Sequence, residues 1–452
     1  MRRHRTKSTS RLCLPWISSR FTPKFVSFVV IANLEILTLS LGSSRLLPRD
    51  DVLQCLIFSM QRYSALYKPI KDCFLDLCRC IADSITPEEI EILINGTINP
   101  EVNVRAACLQ SLDAEIDLTE LDYSDKLWLA CHDEVEENVE VAVTIWRESG
   151  LETKVDTAIK MIPYLEVQEK QIRGAAARAL SAAVGKFPET VNSVVDELVR
   201  VYREKAKPLL PQYDEYGMLK KSDNRDPWEA RSGVALSLKA LAGLFDHAKL
   251  VEFSRFLIDE GTLADRNSLV REEIIDAATA IITEQGAKHV EELMQIFEGT
   301  LEAPDDGSAV RDRINEAVII LYGALGRHLQ AGDPRIATVV ERLLSTLNVP
   351  SETVQYAVAE CLPPLIRASR QKASEYIGQM LDRLFTAKAY AARRGAAYGL
   401  AGIIKGCGIS ALKDYRIMSS LRAAIEDKKN TSSRQGALFA ASEHASRTSM
   451  TV

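Results

Sequence analysis

One short pattern, met nine times, constrains this chain more than any other feature. An apolar residue followed by arginine or a stand-in opens an alanine-rich stretch: VRAACLQSL at Arg105, VEVAVTIW at Glu140, IRGAAARAL at Arg173, ARSGVALSL at Arg231, VREEIIDAA at Arg271, VRDRINEAV at Arg311, VQYAVAECL at Gln355, RRGAAYGLA at Arg394 and SRQGALFAA at Arg434. The spacings are 35, 33, 58, 40, 40, 44, 39 and 40 residues. A period near 40 belongs to stacked helical hairpins, because a lone hairpin cannot bury both of its apolar stripes and must lean on the next.

The grammar inside each unit agrees. A break containing Asn, Asp, Pro or Gly precedes each copy, and ahead of it stand apolar residues at helical spacing in Glu88–Ile94, Val191–Tyr202, Glu291–Phe297, Ile336–Leu344 and Ala373–Leu384. No sustained period-two run argues for a sheet. The expected fold is all-α, a HEAT-repeat α–α superhelix of the armadillo-like solenoid type. Residues 1–50 read as a basic N-terminal segment, 51–204 as acidic repeats, 205–227 as a long basic inter-helix loop, 228–440 as further repeats and 441–452 as a truncated tail. Asn99, Asp265 and Asp305 each stand six residues before an arginine of the motif, where an acid can cap the second helix or bond the neighbouring arginine in a ladder. Arg394 is assigned to that stack, and its neighbour Arg393 is expected to point outward.

The stretch AARRGAAYGLAGIIKGCG, 391–408, has the look of a phosphate-binding loop. Such a cradle requires glycines at fixed spacing followed by Lys and a hydroxyl residue, whereas here Lys405 lies between Ile404 and Gly406. Gly395 and Gly399 are therefore read as packing residues that let a neighbouring helix approach. An enzyme reading lacks its parts: the six histidines stand in unrelated contexts, and there is no G-x-S-x-G, no H-E-x-x-H and no paired C-x2-C. Cys73, Cys78 and Cys80 do not have zinc spacing. Trp146 and Trp228 read as stack fillers, and the pairs Asp133-Glu134 and Glu136-Glu137 as solvated charge near a helix start. Neither a catalytic residue nor a cofactor nor a metal is expected.

Charge narrows the partner. The net balance is only −6, but residues 83–170 hold 21 acids against 6 bases, and residues 386–436 hold 10 bases against 3 acids. Nine scattered cysteines suit a reducing, cytoplasmic setting. Residues 1–24 carry seven Lys or Arg and no acid ahead of an apolar run, the pattern of a targeting segment or of a misassigned start. The 58-residue interval between Arg173 and Arg231 exceeds one unit by about 18 residues, and its surplus, YREKAKPLLPQYDEYGMLKKSDNRDP, is basic and punctuated by proline, as functional loops often are.

Three segments resemble a known family: LWLACHDEVEENVEVAVTIWRESGLE (127–152), VYREKAKPLLPQYDEYGM with DPWEARSGVALSL (201–238), and RRGAAYGLAGIIKGCGISALKDY followed by IEDKKNTSSRQGALFA (393–440). They are similar to the large ribosome-associated translational activator of general amino-acid control, over about 56–440, including a part like the helical repeats of elongation factor three. The resemblance implies a non-catalytic scaffold that contacts the ribosome and serves the kinase of initiation factor two alpha, with a ribosome-associated ATPase as a further partner and neither membrane nor DNA. It also implies a fragment, since family members are several times longer and their kinase-gripping segment lies further C-terminal. Candidate ribosome contacts are Lys205, Lys207, Lys220, Lys221, Arg225, Arg393, Lys405, Lys413, Lys428 and Lys429. The competing readings are a HEAT adaptor for nuclear transport or a phosphatase, and an ATPase like elongation factor three, which the missing Walker motifs oppose.

Overall fold

The computed structural model describes residues 48–113, 116, 118, 123–208, 225–304, 307–427 and 430–448, with the backbone alone at 439 and 441–448. The basic segment 1–47, Asp305 and the candidates Lys220, Lys221, Lys428 and Lys429 lie outside the described residues. Among the described residues every regular element is helical, as the repeat predicted. The chain divides into two compact units, residues 1–161 with 169–179, and residues 162–168 with 180–452.

The first unit contains α1 (Arg49–Arg62), α2 (Tyr67–Ile81), α3 (Pro87–Gly96), α4 (Val102–Leu112), α5 (Ser124–Ala130), α6 (Glu136–Glu148) and α7 (Thr157–Lys160), and α8 (Lys170–Lys186) begins in it. The start of α3 shows how sequence sets a boundary. Thr86 Oγ1 accepts the Glu89 N–H and Glu89 Oε2 accepts the Thr86 N–H at 2.8 Å, a reciprocal cap, with Pro87 at the first helical position where no donor is needed. Leu53, Phe74, Leu77, Leu93, Cys108 and Leu109 form the fully enclosed centre of this unit. Cys73 and Cys78 are packed there, while Cys80 is exposed.

The second unit continues with α9 (Val191–Ala206), α10 (Trp228–Ala240), α11 (Leu250–Asp259), α12 (Ser268–Gln285), α13 (Val290–Glu302), α14 (Ala309–Gly326), α15 (Arg335–Thr346), α16 (Glu352–Ala368), α17 (Ala373–Thr386), α18 (Tyr390–Cys407), α19 (Ala411–Asp414), α20 (Ile417–Glu426) and α21 (Thr431–Thr448). The motif copies at Arg231, Arg271, Arg311, Gln355, Arg394 and Arg434 fall in α10, α12, α14, α16, α18 and α21, and these helices pack on one another in that order.

Glycine sets the closest of these approaches. A Cβ on Gly395 would stand 1.8 Å from Leu347 O, one on Gly402 2.5 Å from Ala359 O, and one on Gly406 2.8 Å from Ile366 Cβ. Gly395, Gly399, Gly402 and Gly406 share one face of α18, laid against α16 and the end of α15, so these four glycines are packing residues, while Gly408 ends the helix at φ 94° with open space beside it. Pro363 and Pro364 inside α16 withdraw the N–H groups that Ala359 O and Glu360 O would otherwise accept, and Gly402 closes over the first of these carbonyls.

Arginine supplies the ladder. Arg105 binds Asp133 at 2.6 and 2.9 Å, and Arg231 binds Asp265 at 2.7 and 2.9 Å, each acid standing just ahead of the next motif helix. Of the two roles open to Asp265, bonding the neighbour's arginine is the one it plays, and Asn267 caps α12. Two expectations need correction. Asp133 is not solvated charge: it is enclosed by Arg105, the Val135 N–H and Asn138. Arg393 does not point outward. It is 5 % exposed, with Nη1 on Ala387 O and Lys388 O and Nη2 on Gln435 Oε1, the same carbonyl grip that Arg105 has on Asn99 O and Pro100 O. The stack register therefore runs through Arg393, and Arg394, half-buried, reaches back to Gln355, Glu352 and Pro350 O.

Candidate functional site

The first group of candidate cations flanks the long interval after α9. Arg231, completely enclosed, draws the two flanks together: Nη1 donates to Lys205 O at 3.0 Å and to Asp226 Oδ1 at 2.7 Å, while Nε and Nη2 hold Asp265. Arg266 repeats the bridge from outside, with Nη1 on Ala206 O at 2.8 Å and Nη2 on Asp226 at 2.6 Å. Hydrogen bonds from Arg231, against a smaller opposing effect of burial, hold the Asp226 carboxyl well below the usual range. Burial pushes Asp265 upward, but the donors Arg231, Tyr202 and the Asn267 N–H outweigh it and leave this carboxyl lowered too. The chain at Lys205–Ala206 and at Asp226 is thus pinned by buried charge. Around this anchor Lys205 pairs with Glu166 at 2.5 Å, Arg225 pairs with Glu229, and Lys207 is exposed.

The second group belongs to the end of the unit. Lys405 is exposed on α18 and pairs with Glu360 at 2.9 Å, and Lys413 is exposed on α19. Arg393 leaves the set because it is enclosed. The described candidates thus form two flanks of solvent-facing cations, several of them held by a carboxylate.

Two clefts lie in the second unit. One, of about 260 Å³, runs over α12, α14 and α16 and is lined by Asp276, Thr279, Arg327, Tyr356 and Glu360 among others. The other, of about 680 Å³, lies beside the turns near His289, His328, Asp333 and Arg335. There His289 Nδ1 is 2.7 Å from Glu292 and His289 Nε2 is 3.4 Å from His247 Nδ1, a polar contact between successive turns. Among the described residues no group of three or more His, Cys, Asp or Glu is placed to hold a metal ion, and no helix is long and apolar enough to cross a membrane.

Comparison with known proteins agrees with the repeat pattern. Residues 111–327 match the family described as "Stalled ribosome sensor GCN1, HEAT repeats". The "eIF-2-alpha kinase activator GCN1" of Saccharomyces cerevisiae is 36% identical over 403 residues, covering 87% of this chain and 15% of that protein. The chain belongs to the GCN1 HEAT-repeat family. The human "Stalled ribosome sensor GCN1" is 35% identical over 363 residues, 78% of this chain and 14% of its own length. This chain thus spans about one seventh of the GCN1 relatives it matches. Among solved structures the crystal structure of Kap121p is similar at a TM-score of 0.40 and 14% identity, over 90% of this chain and 43% of that one.

Proposed function

We propose that this chain is a non-catalytic GCN1-type scaffold that binds ribosomes in the cytoplasm and takes part in activating the kinase of initiation factor two alpha during amino-acid starvation, alongside a ribosome-associated ATPase. The observation that carries the reading is the likeness to GCN1 relatives across nearly the whole chain, joined to a stack whose second helices are spent on packing one another. What such a stack offers a partner is its surface charge. Lys207 and Lys413 are exposed, Lys205, Arg225 and Lys405 are exchangeable from their carboxylates, and Lys220, Lys221, Lys428 and Lys429 complete the proposed set.

Cations that neutralise phosphates release condensed counterions, so affinity falls steeply with salt. Cosedimentation with purified ribosomes at low and high salt tests this. Binding should fall with salt, and should weaken when Lys428 and Lys429 both become Glu. Binding indifferent to both changes would remove the reading. Starvation signalling is tested separately, by restoring kinase activation in cells lacking the endogenous relative with a full-length protein carrying this segment.

A further inference from the structure

The contact pattern of the glycine face shows that α14, α16 and α18 run parallel. Gly323 meets Cys361 and Gly326 meets Leu365, while Gly402 meets Ala359 and Gly406 meets Ile366, so residue numbers rise together along each pair. Their C-terminal ends therefore lie side by side, and the turns that follow them form one edge of the unit. That edge is basic. Arg327 follows α14; Arg367, Arg370 and Lys372 end α16 and form the next turn; Lys413 and Arg416 follow α18, and all six are exposed. Arg370 Nη2 donates to Cys407 O at 2.5 Å, tying the second turn to the third. The acids on the same turns are fewer: Asp333, already held by Arg335, with Glu375 and Asp414.

Cations near helix C-termini are expected from the helix dipole alone, and Arg370 fits that explanation. Arg416 stands between two short helices: its N–H donates to Lys413 O just past α19, where a left-handed residue is a usual helix ending, and the same residue is the N-cap of α20, where a positive charge is disfavoured. At φ 53° and ψ 29° it is the one non-glycine residue with positive φ among those described. That region suits glycine better than a bulky cation, so the exposed arginine is kept there at some backbone cost. Ile409, 68 % exposed, shows that this turn projects into solvent.

We propose that this edge, formed by the turns after α14, α16 and α18, is a phosphate-backbone docking surface for structured RNA. The inference rests on the ribosome reading and adds the face and the chemistry of contact. Regularly spaced turns, each offering one to three cations, fit the repeating phosphates of a helical RNA better than they fit a compact acidic protein patch.

The test uses the whole chain, with circular dichroism confirming that each variant folds. Binding is measured by cosedimentation with purified ribosomes, and by fluorescence anisotropy with a labelled A-form RNA hairpin. Lys372→Glu with Lys413→Glu should weaken both about tenfold or more and flatten the slope of log affinity against log salt by roughly 1.5. Arg416→Gly should raise thermal stability while weakening both, which a purely structural role for Arg416 would not do. Arg255→Glu, on the exposed face of α11, should change neither. If the wild type sediments with ribosomes and these variants sediment equally well, the edge inference is overturned and the ribosome reading stands. If ribosome binding falls but the wild type never binds the hairpin, the contact is with ribosomal protein and the RNA assignment is wrong. If the wild type ignores ribosomes, the proposed function fails, and the hairpin alone decides the edge: binding lost in the variants supports it, and no binding overturns it.

Discussion

Gly395→Ala and Gly378→Ala are the same chemical change on adjacent helices, and the structure predicts opposite signs. At Gly395 the new Cβ would lie 1.8 Å from Leu347 O, where ordinary contact begins near 3.4 Å, and the obstacle is backbone that cannot swing away. Helix α18 must retreat, loosening the contacts at Gly399 and Gly402 and the bonds that Gln355 Nε2 makes to Leu347 O and Ala391 O at 2.9 and 2.8 Å. Overpacking of this kind costs roughly 1–3 kcal/mol or more, and the severity of this clash favours the upper end. Alanine's better helix propensity returns about 1 kcal/mol, leaving a net loss of about 2 kcal/mol. At Gly378, exposed within α17, a Cβ meets nothing within 4 Å, so only the propensity gain of about 1 kcal/mol remains. Urea denaturation followed by circular dichroism should show the two midpoints moving in opposite directions. If both substitutions stabilise, the glycines are not the contact that sets helix spacing.

The remaining predictions test the ladder and the thiols. Replacing Arg231 by Met strands Asp265 without its counter-charge and should destabilise the second unit by about 3–5 kcal/mol, read from the same urea curves. The lowered carboxyls of Asp226 and Asp265 bind fewer protons folded than unfolded, so their contribution is complete above the ordinary Asp range near pH 4 and disappears as pH falls through their folded values. The urea midpoint should therefore drop below about pH 4, less steeply in the Arg231→Met protein; an identical acid profile would count against the ladder. Alkylation of the native chain at mild pH should label Cys80 and spare Cys78, whose thiol burial pushes up to about 12, with peptide mass spectrometry as the readout. Equal labelling of Cys78 would mean that the packing of the first unit is wrong.

The fold was legible in the sequence because its physics is local and repeated. Nine copies at nearly fixed spacing leave little choice but a stack, and the small residues of 391–408 announce a close helix approach without saying which helix. The errors arose where one residue of register decides the outcome. Arg393 and Arg394 are neighbours in sequence, and only three-dimensional phase places the first on the carbonyls at the end of α17 and the second on Glu352. Asp133 looked like solvated charge because its arginine stands 28 residues away. The same limit hid the basic edge. Arg327, Lys372 and Arg416 are about 45 residues apart, so no window of sequence shows them as a cluster, whereas Lys220 and Lys221 of the long interval are adjacent in the chain. In a stack of parallel helices, surface chemistry is written once per repeat. A partner that reads such a surface meets residues one repeat apart, so the edge carried by Arg327, Lys372 and Arg416 exists only once the repeats are stacked.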